Sequence, residues 1–149
     1  TLVLDDGQVL TEGPVIVQYL ADRRPEAGLL PACGSFDRYR VQEWLNTITS
    51  ELHKGYSPLF GAETPEAFKT IARNNLIKKY RLIDAHLQGK SYLMGDRFTV
   101  ADAYLFTVTN WAGHVGLDLS GFANVQAFQK RVGERPAVRE TLKEEGLTK

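Results

Sequence analysis

A mostly α fold is predicted, with a short α/β segment leading into an all-helical bundle of about five helices. Three observations predict it. From Ser35 onward, apolar residues recur at spacings of three and four, as on a helix face. Only the stretch before Glu12 reads as strand, with "TLVL" and "VLTE" flanking the Asp-Gly turn of "DDGQ". Between these regions, "RPEAGLLPACG" is rich in proline and glycine and lacks periodicity, the mark of a linker.

The opening "TLVL" reads as a buried strand already under way at Thr1. Two strands and one helix bury too little surface to stand alone in water. Residues 1–24 are therefore expected to be the end of a larger α/β domain, followed by a linker over 25–34 and the helical domain over 35–149. The first helix begins in "LTEGPVIVQYLAD", where Gly13 suits the N-cap and Pro14 the first helical position. Val15, Ile16, Tyr19 and Leu20 form its apolar face, Arg23 and Arg24 complement its last turn, and Pro25 ends it.

Ser35 caps the next helix, which carries Tyr39, Val41, Trp44, Leu45, Ile48 and Leu52 and is expected to close at Gly55 and Pro58. In "TPEAF", Thr64 is the expected cap and Pro65 the first position of a long helix running through Leu76, Ile77, Tyr80, Ile83 and Leu87 to Gly89. In "GDRFTVADAYLF", Thr99 and Asp102 stand three apart as a capping box, with Phe98 placed as a staple against Ala103. The helix that follows is apolar nearly all round, which marks it as central. Asn124 is the expected cap of a further helix through Val125, Phe128 and Val132, and Pro136 opens the last, with Val138 and Leu142.

Composition narrows the function classes. The 149 residues are 43% hydrophobic and 24% charged, in keeping with a folded protein. Eighteen basic residues balance eighteen acidic ones, so no basic excess points to nucleic acid or an anionic membrane. The apolar runs are too short to span a bilayer. Cys33, the sole cysteine, rules out an internal disulfide and suits a reducing compartment.

Two constellations carry candidate chemistry. Glu12 precedes the free N–H groups of a helix start. Its carboxylate either stabilises that helix, by about 0.3–1 kcal/mol, or meets the ammonium of an amino-acid group whose carboxylate is received by N–H groups at Gly13 and beyond. In "NTITSELHK", Asn46, Ser50, His53 and Lys54 share one polar side opposite Trp44, Leu45, Ile48 and Leu52, which reads as a solvated face or as a site. Asp102 is read as a structural cap, not as a general base. Trp111, Tyr104 and Phe106 are read as core or pocket lining. His86 and His114 have no partners at metal-ligand spacing, so no metal is expected.

The order of hairpin, helix, linker and helical bundle, together with "LTEGPVIVQYLAD", "EWLNTITSELHKGYSPLF" and "GDRFTVADAYLF", resembles the cytosolic glutathione transferases, most closely the bacterial beta class. The resemblance runs over essentially the whole chain. It implies that residues 1–24 close a thioredoxin-like domain and that Glu12 and Gly13 hold the γ-glutamyl end of glutathione, Gly13 standing where serine is common. It also implies that Asn46, Ser50 and Glu51 reach glutathione across a homodimer, and that His53 and Lys54 border its thiol end. The implied enzyme is a cytoplasmic bacterial detoxifying transferase, joining the sulfur of glutathione to a hydrophobic electrophile, with glutathione as co-substrate and no cofactor. The family's thiol-contacting residue belongs to a segment expected upstream of Thr1, so the 149 residues alone are expected to be inactive. The rival readings are a non-catalytic binding or scaffold protein of the same fold, a related glutathione-dependent isomerase, dehalogenase or disulfide reductase, and an unrelated helical interaction module.

Overall fold

The computed structural model describes residues 1–147, and the architecture is a small hairpin followed by helices. Strands β1 (Leu2–Val3) and β2 (Val9–Leu10) pair antiparallel, Leu2 opposite Leu10 and Val3 opposite Val9. Gly7, with φ 84°, makes the turn, and the Asp6 carboxylate accepts the Gln8 N–H at 3.0 Å. The hairpin is not buried on both faces as the apolar run "TLVL" suggests. Leu2 and Leu10 are half-buried, but Val3 and Val9, on the other side of the pleat, are exposed.

Helix α1 (Gly13–Asp22) starts one residue away from expectation, with Glu12 at the N-cap and Gly13 as the first helical residue. Its buried edge also differs. Val15 and Leu20 are exposed, whereas Ala21 is buried and Val17, four residues earlier, packs on the core. The helix ends at Asp22, before the two arginines. Arg38 then ties three segments together, donating to both Asp22 carboxylate oxygens at 2.8 and 2.7 Å and to the Pro31 carbonyl at 3.2 Å. Its hydrogen bonds hold the Asp22 carboxyl below its usual value.

Helix α2 (Phe36–Thr47) is capped as its sequence predicts, the Ser35 hydroxyl accepting the Arg38 N–H at 3.3 Å. It does not stop at Gly55. The chain passes through a π-helical segment, Ile48–His53, directly into α3 (Lys54–Phe60), which contains both Gly55 and Pro58. Gly55 serves a close approach of helices here. A Cβ at that position would lie 2.9 Å from Leu76 Cδ2 on the next helix. Pro58 lacks an N–H for the ladder, and the widened π turn lies just upstream of it.

Helix α4 (Glu66–Leu87) has Pro65, not Thr64, at its N-cap. Helix α5 (Val100–His114) is the central helix that its all-round apolarity predicts. Its Leu105 and Val108 share one core with Leu45, Ile48, Leu52, Leu76 and Tyr80 before it and with Val125, Phe128 and Val132 after it. The Phe98 ring packs edge-on against Tyr92 and carries the Arg135 guanidinium 3.9 Å above it. In α6 (Ala123–Gly133), Asn124 is the second residue and not the cap. The acceptor comes from α4, where Asp84 takes the N–H groups of Asn124 at 2.8 Å and Val125 at 3.0 Å. Helix α7 (Pro136–Glu144) follows, opened by proline as predicted. Among the described residues, no helix is long and apolar enough to cross a membrane.

Candidate functional site

The start of α1 carries a conformational outlier. Glu12 has φ 68° and ψ 110°, and it is the only non-glycine described residue with positive φ. Such a backbone costs on the order of 1–3 kcal/mol and persists only where the surroundings impose it. Its carbonyl accepts the N–H groups of Val15 and Ile16, both at 2.9 Å. Pro14 has no N–H, so Gly13 is the one residue of this turn whose amide is left for an outside acceptor. The expected set of amides "at Gly13 and beyond" thereby contracts to one. The Glu12 side chain makes no cap to its own helix and forms no ion pair among the described residues.

His53, at the last position of the π-helical segment, turns toward α5. Its Nδ1 lies 2.7 Å from the Tyr104 hydroxyl, and its ring meets Trp111 edge-on with centroids 4.8 Å apart. Burial lowers the basicity of His53, the neighbouring Lys54 charge lowers it further, and the Glu12 carboxylate acts in the opposite sense. Burial and the Glu12 charge likewise raise the Tyr104 phenol, against a hydrogen bond with Thr49. The three groups therefore sense one another across α1, the π-helical segment and α5. Trp111 also meets Phe60 edge-on at 5.7 Å, and Phe60 is exposed, so an aromatic wall stands beside the histidine.

Asn46, Ser50 and Glu51 are not part of this cluster. Asn46 and Ser50 are exposed, while Glu51 pairs with Lys79 of α4 at 2.6 Å. Glu51 lines a groove of about 760 Å³ between α2 and α4 with Trp44, Leu52, Lys79, Ile83 and His86. His53 thus faces α5 and Glu51 faces α4, as residues two apart on a helix do.

The remaining candidates have structural partners. The Asp102 Oδ2 accepts the Thr99 N–H at 2.8 Å and the Thr99 hydroxyl at 3.0 Å, while Oδ1 accepts the Leu93 N–H at 2.8 Å. Burial raises the Asp102 carboxyl above its usual value, opposed by those same bonds. His86 Nε2 donates to the Leu93 carbonyl at 2.9 Å, and the ring rests on Trp44 with centroids 4.5 Å apart. His114 and Cys33 are exposed, and Phe106 is buried in the core. Sequence reasoning missed Tyr104 as a partner of His53 and Asp84 as the cap of α6, since each partner lies 40 or more residues away in the chain.

The family model described as glutathione S-transferase, C-terminal domain, matches residues 47–136. The chain is 49% identical to glutathione S-transferase GstA of Escherichia coli O157:H7 over 98% of its own length and 73% of that protein. Among solved structures it resembles the ternary complex of BphK, a bacterial GST, with a TM-score of 0.96 and 50% identity over 98% of this chain and 73% of that one. A bacterial beta-class glutathione S-transferase from Sphingomonas chungbukensis superposes with a TM-score of 0.94 and 39% identity, covering 99% of this chain and 73% of its own. Likeness of this degree, running through the helical core and the Glu12 turn alike, means that the chain belongs to the glutathione S-transferases, a family of transferase enzymes.

Proposed function

We propose that the turn at Glu12 and Gly13 receives the γ-glutamyl end of glutathione, and that the protein joins the sulfur of glutathione to a hydrophobic electrophile. The strained backbone of Glu12 carries this reading. A carboxylate held at φ 68°, unpaired and beside one unused amide, is matched to a ligand that brings an ammonium and a carboxylate together. In this reading the ammonium pairs with Glu12 and the carboxylate with the Gly13 N–H.

The thiol end then lies toward His53 and Lys54. A free thiol has a pKa of about 8.5 and is mostly protonated at neutral pH, so the main chemical task is to favour the thiolate. The Lys54 cation and the His53 ring serve that task, and the Trp111 and Phe60 rings supply an apolar surface for the electrophile. Residues 1–24 act as the end of a thioredoxin-like glutathione-binding domain, 25–34 as a linker, and 35–149 as the helical domain. The working unit is a homodimer of beta-like class acting in cytoplasmic detoxification. Asn46, Ser50 and Glu51, which stand outside the Glu12 and His53 cluster, reach the site of the second copy. The apolar floor and charged rim of the groove between α2 and α4 suit such a face.

Calorimetric titration with glutathione tests the reading on Glu12→Ala. Loss of a charge-assisted contact is expected to weaken binding by about ten- to a hundredfold. Unchanged affinity in a folded variant overturns the site.

A further inference from the structure

His53 has two ring nitrogens, and only one has a partner. Nδ1 lies 2.7 Å from the Tyr104 hydroxyl. Nε2 has no hydrogen-bond partner among the described residues, so it is the nitrogen available to a ligand. Which of the two carries the proton decides whether Nε2 donates to a sulfur or accepts from one.

The surrounding bonds distinguish the two arrangements. The Thr49 hydroxyl donates to the Leu45 carbonyl at 2.8 Å, which uses its single proton, and its oxygen stands 3.4 Å from the Tyr104 hydroxyl. If Nδ1 carried the proton and donated to Tyr104, the phenol proton would have, among the described residues, only the distant Thr49 oxygen as acceptor. If Tyr104 donates to Nδ1, the short contact receives the phenol proton and each donor in the chain has a good acceptor. Burial and the Lys54 charge favour the neutral histidine, and the Glu12 carboxylate opposes them. Lys54 adjoins it in the chain, Tyr104 meets it from α5, the Glu12 charge acts on it from the start of α1, and the Trp111 ring stands at right angles to it with centroids 4.8 Å apart.

We infer that Tyr104 is a positioning residue that holds His53 as the neutral Nε2–H tautomer, so that the free edge of the ring is a hydrogen-bond donor shaped for an anionic sulfur. The role at sulfur rests on the glutathione reading above. The tautomer itself does not, and it is measurable without ligand. Oriented this way, His53 stabilises a thiolate already formed and takes no proton from the thiol.

The test is a nitrogen-15 NMR titration of His53 in the ligand-free 149-residue chain and in its Tyr104→Phe variant. In the parent chain above the His53 midpoint, Nε2 is expected to carry the proton and Nδ1 to be bare. A phenol that donates to Nδ1 favours the uncharged ring, so its removal is expected to raise the midpoint by about half to one pH unit. A protonated Nδ1, or a midpoint that falls or stays in place in Tyr104→Phe, overturns the inference. The variant keeps the aromatic ring, and an unchanged thermal melt shows that the shift does not come from unfolding. In a second arm, glutathione added to the parent chain is expected to move the Nε2 resonance. No movement, with the tautomer as stated, defeats the role at sulfur and leaves the Tyr104 lock in place.

Discussion

Replacing Asp102 with alanine should cost much more than an ordinary helix cap, because the carboxylate joins two segments. A lost N-cap is worth about 0.5–2 kcal/mol. Here three donors converge on one buried side chain, two of them backbone N–H groups, from Thr99 at the start of α5 and from Leu93 in the preceding turn. Each buried donor left without a partner costs about 1–3 kcal/mol. The Thr99 hydroxyl can rotate to another acceptor, and removing a desolvated acid returns part of the loss. The net destabilisation expected for Asp102→Ala is therefore about 2–4 kcal/mol, a large share of the roughly 5–15 kcal/mol of an ordinary domain. Urea unfolding followed by circular dichroism measures it, and a cost below about 1 kcal/mol would refute the idea that Asp102 bridges both segments. The pH dependence supplies a sign. Burial raises the folded-state value of Asp102 above 3.8, so the folded state holds its proton longer than the unfolded chain does. As pH rises from 3.8 through that raised value, the parent is expected to lose stability relative to Asp102→Asn, and then to level off once the folded carboxyl is ionised. A relative gain over the same interval would contradict the assignment.

Two further substitutions separate binding from folding at the α1 start. Glu12→Gly removes both the carboxylate and the strain of φ 68°, so it is expected to stabilise the chain by about 1 kcal/mol while glutathione affinity falls; a less stable variant in urea unfolding would show that the backbone there is unstrained. A Cβ added at Gly13 meets no atom within 4 Å, and its φ lies outside the left-handed range, so Gly13→Ser is expected to fold normally. The new hydroxyl adds one neutral hydrogen bond to a bound carboxylate and should tighten glutathione about two- to tenfold by calorimetry.

Local signals in the sequence determined the helical segments and the caps of α2 and α5. Ser35 before α2 and the Thr99 and Asp102 pair before α5 act within four residues of chain, a reach set by the geometry of one helical turn, and the structure places both where their spacing predicts. The same reach explains the acid and glycine at positions 12 and 13, legible as a possible site before any fold is known. The tertiary structure alone decided which side chains meet. Tyr104 reaches His53 across 51 residues and Asp84 caps α6 across 40, contacts that arise only when α5 lies against the π-helical segment and α4 against α6. It also decided that the chain runs on from α2 through six residues of π helix into α3, where Gly55 and Pro58 suggested an end. The Ser35 and Thr99–Asp102 caps are settled between neighbours in the chain, whereas the Asp84 cap and the partner of a buried polar group are settled by packing, and packing brings together residues whose order in the chain carries no record of it.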